Sequence, residues 1–131
     1  GLTLVELMVV VAVMAIIATI AYPIYTNQVQ KSRRADAKVA LETVAMAQER
    51  FYTINGEYAA GLSSLQVSTD IQGGASDQGY YNITIARSGA DNEQFTVTAT
   101  ASGSGPQAGD TACPTFTINH QGVKTPASGC W

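Results

Sequence analysis

The sequence predicts an α+β fold in which a long N-terminal α-helix comes first and its C-terminal half packs on a small antiparallel β-sheet. Three observations predict it. From Leu7 to Gln30 no side chain is charged, and from Leu7 to Ala18 every residue is apolar. Beyond that run Ala37, Leu41, Val44, Gln48 and Phe51 recur three and four positions apart, which marks one helix face. The period then changes to two in Tyr80–Arg87, Gln94–Ala101 and Pro114–Asn119, as expected of half-buried strands.

Taken in order, Leu7 to Tyr25 is long enough to cross a bilayer core of about 30 Å. Pro23 removes a backbone donor and crowds the preceding turn, so a kink or local unwinding is expected over Ala18 to Pro23. Ala35, Ala37, Ala40, Ala45 and Ala47 then favour helix, and Lys38 and Glu42 are spaced for an i, i+4 pair. Asn55-Gly56 signals a turn, which places the helix end near Thr53. At 1.5 Å per residue such a helix runs roughly 75–80 Å, too long to bury in one small domain. The expected organisation is therefore a hydrophobic segment, 1–30, and a head, 31–131. From Ile54 to Gly79 the chain reads as a packed loop anchored by Tyr58, Leu62, Leu65, Val67 and Ile71, with a helical turn around Leu62 to Leu65. Ser88 to Glu93 reads as a hairpin loop and Ser102 to Gly109 as a longer connection.

Charge limits the partners. Between Lys31 and Thr53 five bases face three acids, whereas from Ile54 onward two bases face six acids. The acidic later part argues against general phosphate binding there. Lys31, Arg33 and Arg34 form the one cluster that could touch DNA or a charged surface, and a solvated helix face or membrane-edge anchor is the plainer reading. Cys113 and Cys130 have no Cys or His neighbours at metal-ligand spacing, so a disulfide in an oxidising compartment is the economical reading. Closing that loop would contribute roughly 3 kcal/mol. The sequence offers no nucleophile–base–acid set, metal cluster or phosphate loop, so neither an enzyme nor a bound cofactor is expected.

The N-terminal run is a poor signal peptide, because it follows Glu6 and leads into Tyr22-Pro23 without a small-residue cleavage site. As a plain membrane span it conflicts with itself: the bases after Gln30 would put the head inside the cell, and the disulfide would put it outside. A basic leader ahead of Gly1, since removed, would resolve the conflict.

At this point the residues match a family. Gly1-Leu2-Thr3-Leu4-Val5-Glu6-Leu7-Met8-Val9-Val10-Val11-Ala12 resembles the processing site and start of type IV pilins, usually Gly followed by Phe-Thr-Leu-Ile-Glu-Leu. Tyr22-Pro23, the basic then Ala-rich helix, Asn55-Gly56-Glu57-Tyr58 and the late cysteine pair are similar too. The ending Gly129-Cys130-Trp131 resembles the PilE-like branch. The resemblance implies the type IV pilin fold and a homo-oligomeric filament subunit, inserted in the bacterial inner membrane before assembly and extracellular afterwards. It also implies two kinds of partner, a prepilin peptidase that cuts after the Gly and methylates the new amine, and the inner-membrane assembly machinery. Adhesion, twitching motility or DNA uptake would be the output. Carried over residue by residue, processing falls at Gly1 and Leu2, and assembly involves Leu4, Glu6 and Leu7.

Two accounts of Glu6 follow. Its carboxylate could pair with the N-terminal amine of an adjacent subunit, worth about 4 kcal/mol at 4 Å and an effective dielectric near 20, before desolvation. Left unpaired at membrane depth, an acid costs roughly 2.5–3.5 kcal/mol. Alternatively Glu6 sits at headgroup level, where the positive end of the helix dipole favours an anion. Three other roles share the motif: a minor or tip pilin binding DNA or a surface, a secretion-system pseudopilin, and an anchored domain that never polymerises. Pseudopilins usually lack a late disulfide loop, so Cys113 and Cys130 count against that role. One departure concerns the terminus. The family's usual Phe is Leu2 here, and motif register puts the cut between Gly1 and Leu2. Intact-mass measurement of filament protein is expected to show a methylated Leu2 start, and a chain beginning at Gly1 would refute that register.

Overall fold

The structure, a computed structural model, describes residues 1–131. Helix α1 spans Leu4–Asn55 without interruption, with Pro23 inside it. The local unwinding expected over Ala18 to Pro23 is therefore absent. One proline costs a helix about 3 kcal/mol through its missing donor and its clash. Interrupting the ladder would forfeit more bonds and require a second nucleation, itself unfavourable by about 4 kcal/mol for a nucleation constant near 10⁻³. Nearby hydroxyls also bond into this part of the helix: Thr26 Oγ1 donates to the Tyr22 carbonyl at 3.0 Å, and Thr19 Oγ1 donates to that of Ile16. The helix ends two residues later than expected. Gly56 takes φ +76° and donates its N–H to the Tyr52 carbonyl at 2.8 Å, closing the last turn as a left-handed cap.

The chain divides into two units, Gly1–Ser32 and Arg33–Trp131. In the first, no residue from Gly1 to Tyr25 is buried. In the second, the later turns of α1 bury Ala37, Ala40, Leu41, Val44, Ala47 and Gln48 against a sheet. Four antiparallel strands lie in the order β1-β2-β3-β4: β1 Tyr81–Ser88, β2 Gln94–Ala101, β3 Thr115–Asn119 and β4 Lys124–Thr125. Three of them match the alternating runs. The fourth was not expected, because two residues cannot display a period. It is placed by the preceding turn, where Asn119 Oδ1 accepts from the N–H groups of Gln121 and Val123, both at 2.9 Å.

Alternation puts Tyr81, Ile83, Phe95, Val97, Ala99, Phe116 and Ile118 on the face toward α1. The aromatic rings meet edge to face, Tyr58 with Phe95 at 4.6 Å and Phe116 with Trp131 at 5.7 Å between centroids, a favoured arrangement. Cys113 and Cys130 are joined by a disulfide, their Cα atoms 5.8 Å apart. The expected Lys38–Glu42 pair is replaced: Glu42 is bonded at 3.0 Å by Lys124 of β4, whose ammonium also lies 4.9 Å from the Trp131 ring centroid. Both partners are about half exposed, so this bridge contributes little.

The stretch between helix and sheet carries a 3₁₀ turn, Leu62–Ser64, and a short helix α2, Thr69–Gln72, capped by Ser68. Its attachment is polar. The fully buried Gln48 side chain accepts from Ala59 N–H at 2.8 Å and donates to Ala59 C=O at 3.1 Å, satisfying both backbone groups at once. Gln48→Leu should remove both bonds and strand two buried groups. A loss of about 2–4 kcal/mol in unfolding free energy is expected, measured by urea denaturation of the detergent-solubilised chain.

Candidate functional site

The start of α1 is built as a reciprocal cap. Thr3 Oγ1 accepts from Glu6 N–H at 3.2 Å, and Glu6 Oε2 accepts from Thr3 N–H at 2.9 Å and from Thr3 Oγ1 at 3.0 Å. This is the capping box formed by Thr or Ser followed three residues later by Glu or Gln. The Thr3-Leu4-Val5-Glu6 spacing carries that signal in the sequence, and it gives Glu6 a role apart from pairing and the helix dipole. All the bonds go to Oε2, leaving Oε1 without a partner inside the chain. Leu4 and Leu7 flank Glu6 and are both exposed, as are the apolar residues of the next four turns. Within α1 lies a window long and apolar enough to cross a membrane, none of it buried.

The basic cluster does not stay together. Lys31 is exposed. The Arg33 guanidinium stacks 5.2 Å from the centre of the Tyr80 ring. Arg34 is buried, and its Nε and Nη2 donate to the two carboxylate oxygens of Asp110 at 2.7 and 2.8 Å. Arg34 is therefore unavailable to DNA or a surface, contrary to the expectation. Its side chain lies on the helix face that also carries Ala37 and Leu41, so burial required a partner, and Asp110 provides a two-pronged one. Gln107 Nε2 extends the network, donating to the Tyr81 hydroxyl at 3.0 Å and to Asp110 Oδ2 at 3.3 Å. The hydrogen bonds from Arg34 hold the Asp110 carboxyl below its usual range, against the opposing effect of burial. Burial pushes the Tyr81 phenol up.

Neither Asp110 nor Asp36 was singled out from sequence. Asp36 accepts from Ser76 Oγ and from the N–H groups of Gln78 and Tyr80, fastening the start of β1 to α1. Its partners lie at least 40 positions away, and those of Arg34 lie 76 away. No local spacing could have revealed either.

With this geometry in view, the comparisons with known proteins agree. Residues 1–22 match the prokaryotic N-terminal methylation motif. Residues 23–117 match the family described as type IV minor pilin ComP, DNA uptake sequence receptor. The chain belongs to the type IV pilin family. A fimbrial protein of Neisseria meningitidis serogroup A is 32% identical over 100 residues, covering 71% of this chain and 59% of that protein. The type IV major pilin protein PilA of Myxococcus xanthus is 37% identical over 59 residues, 45% of this chain and 27% of its own length. The chain thus spans less than two thirds of these relatives. Among solved structures, a type IV pilin from Shewanella oneidensis superposes with a TM-score of 0.57 at 30% identity, over 78% of this chain and 97% of that one. The non-core minor pilin PilV of Neisseria meningitidis shares the fold, with a TM-score of 0.53 at 20% identity, over 79% and 94%.

The Arg34–Asp110 pair generates a test. Removing one partner of a buried pair strands the other charge, so Asp110→Ala should cost about 3–5 kcal/mol in unfolding free energy. A carboxyl whose folded pKa is depressed stabilises the fold above its unfolded pKa of about 3.9, and loses that contribution as pH falls through the lower folded value. The parent's unfolding free energy should therefore drop below about pH 4, with a shallower drop in the variant. Urea titrations at pH 7 and pH 3 check both.

Proposed function

We infer that this chain is a structural subunit of a type IV pilus filament. The 1–30 helix anchors it in the bacterial inner membrane before assembly and packs against the helices of other copies afterwards. One observation carries the reading: α1 begins with a capped apolar segment in which nothing up to Tyr25 is buried, and a carboxylate at its lip has one oxygen unused. Moving such a helix from lipid into a bundle of like helices gains little hydrophobic free energy, since lipid tails are as apolar as Leu. The polar groups must therefore decide whether a subunit stays in the bilayer or joins the filament. Glu6 can act on both sides of that choice, capping its own helix through Oε2 and pairing with a neighbouring subunit's amine through Oε1. Processing between Gly1 and Leu2 by a prepilin peptidase would supply that amine, and Leu4 and Leu7 would pack beside the pair. The globular part, 31–131, would form the head.

The family description favours a second reading, a minor pilin that receives DNA. Lys31 and Arg33 could contribute to such a contact, together with the disulfide loop. The electrostatics support it less. Arg34 is committed to Asp110, and the two bases beyond residue 54 are engaged by acids, Arg87 by Glu57 at 3.6 Å and Lys124 by Glu42 at 3.0 Å. The readings also differ in abundance, since a principal subunit dominates sheared filaments and a minor one is scarce in them.

Because Glu6 also caps its helix, Glu6→Ala mixes two losses. Glu6→Gln separates them, keeping the capping box while removing the charge. Membrane insertion is expected to survive in both variants and filaments to be abolished or severely reduced in both. Normal piliation in Glu6→Gln, scored by electron microscopy and shearing, would leave capping as the role of this residue and sink the pairing.

A further inference from the structure

Asn55-Gly56 marks the end of α1, and the pair can also react with itself. The asparagines of the chain are Asn27, Asn55, Asn82, Asn92 and Asn119, and only Asn55 is followed by glycine. The following residue matters because its backbone nitrogen can attack the side-chain amide, and a side chain there crowds the approach. Glycine has none, and a Cβ added at Gly56 would meet nothing within 4 Å. Tyr52 through Gly56 are all exposed, so burial does not shield the pair. The helix does. Asn55 Nδ2 donates to the Phe51 carbonyl at 3.0 Å, and Gly56 N–H donates to the Tyr52 carbonyl at 2.8 Å. In a helix each Cα–Cβ bond tilts toward the N-terminus, whereas the next amide nitrogen continues toward the C-terminus. Helical Asn55 therefore keeps its side-chain carbon turned away from the nitrogen that would attack it.

We propose that Asn55 is a self-modification site, deamidated by the Gly56 nitrogen when the last turn of α1 opens, so that the helix end latches the reaction. Opening releases both hydrogen bonds and frees the Asn55 backbone to rotate. The Gly56 nitrogen gives its proton to solvent and bonds to Asn55 Cγ. The Cγ–Nδ2 bond then breaks, and Nδ2 takes up a proton and leaves as ammonia. Water opens the resulting ring at either carbonyl. One product is aspartate, and the other is isoaspartate, in which the chain runs through the former side chain. Nothing is oxidised or reduced. Terminal turns open at the lowest free-energy cost in a fold, so the latch slows the reaction without abolishing it.

The products cannot rebuild the latch. Both lack the Nδ2 donor that served Phe51, and both place a negative charge at the negative end of the helix dipole. Isoaspartate also lengthens the backbone by a methylene, which a helical turn does not accommodate. The change stays local, because Gln48 fastens the following loop at Ala59 about two turns before the helix ends. The new carboxylate enters the cavity that Asn55 shares with Arg50, a base that takes part in none of the chain's ion pairs. Each folded copy thus acquires one negative charge, irreversibly, at a rate set by its own helix end. This chemistry belongs to the single chain and stands apart from the filament reading.

The test incubates the full-length chain in detergent, and separately in guanidinium, in mildly alkaline buffer at physiological temperature. Peptide mapping by mass spectrometry, with enzymatic methylation of isoaspartate, follows each asparagine. The folded parent should convert at Asn55 ahead of the other asparagines, and on the order of tenfold more slowly than the denatured chain. Ile54 is 81% exposed, so its substitution alters the latch with little loss of packing. Ile54→Gly should convert roughly threefold faster than Ile54→Ala, each normalised to its own denatured rate. Amide hydrogen exchange should find Gly56 protected in unconverted chains and unprotected in converted ones. Equal folded and denatured rates, or equal normalised rates in the two Ile54 variants, would overturn the latch. A folded chain that stays unconverted while the denatured chain converts fully would overturn the site.

Discussion

A single helix that must satisfy two solvents governs the rest of this structure. Through residue 25 every side chain of α1 is open to its surroundings, whereas from Arg34 onward one face is closed by the sheet. Burying an exposed apolar side chain is worth about 1.5–3 kcal/mol, so the first half gains by leaving water. Lipid tails and other apolar helices would satisfy it equally. That near-equality would make small polar terms decisive, which is the basis of the role proposed for the Glu6 carboxylate. The later turns face the opposite problem. Their burial is permanent, and the polar groups that enter it, Arg34 and Gln48, are each held by two hydrogen bonds.

Most of the fold could be read from periodicity. The helix face Ala37, Leu41, Val44 and Gln48 is buried, and three alternating runs became β1 to β3. Periodicity is visible because it repeats, and the misses fall where it does not. β4 is two residues long. The local penalty of Pro23 predicts a kink or unwinding, whereas the continuity of the helix depends on the cooperativity of all 52 residues. Lys38 was matched with the nearest acid on its own helix, while Glu42 had a competitor arriving from a distant strand.

The candidate site divides in the same way. Glu6 was conspicuous as a charge before an apolar run, and its partner Thr3 was three residues away in a recognisable pattern, so the whole cap was readable from sequence. The basic cluster was readable only as charge. Whether Arg34 pointed to solvent or to the core depended on an aspartate 76 positions later, brought into place by the 3₁₀ turn Pro106–Gly109. Adjacent bases in a helix lie about 100° apart around its axis, which separates Arg33 from Arg34, while Lys31, on the same side as Arg34 one turn earlier, precedes the first buried residue of α1. Lys31, Arg33 and Arg34 accordingly have three different surroundings: solvent, an aromatic ring and a buried carboxylate.

The Thr3–Glu6 cap also bears on how freely this chain can vary. A side chain that reaches back to the Thr3 N–H from three residues on is Glu or Gln. A side chain that brings a negative charge to the lip of the apolar run is Glu or Asp. Only glutamate belongs to both sets. On the filament reading, a single nucleotide change toward either neighbour satisfies one requirement and forfeits the other, so no stepwise route away from glutamate keeps both. The apolar residues around it are under no such restriction, since Leu, Ile, Val and Met satisfy lipid and helix alike.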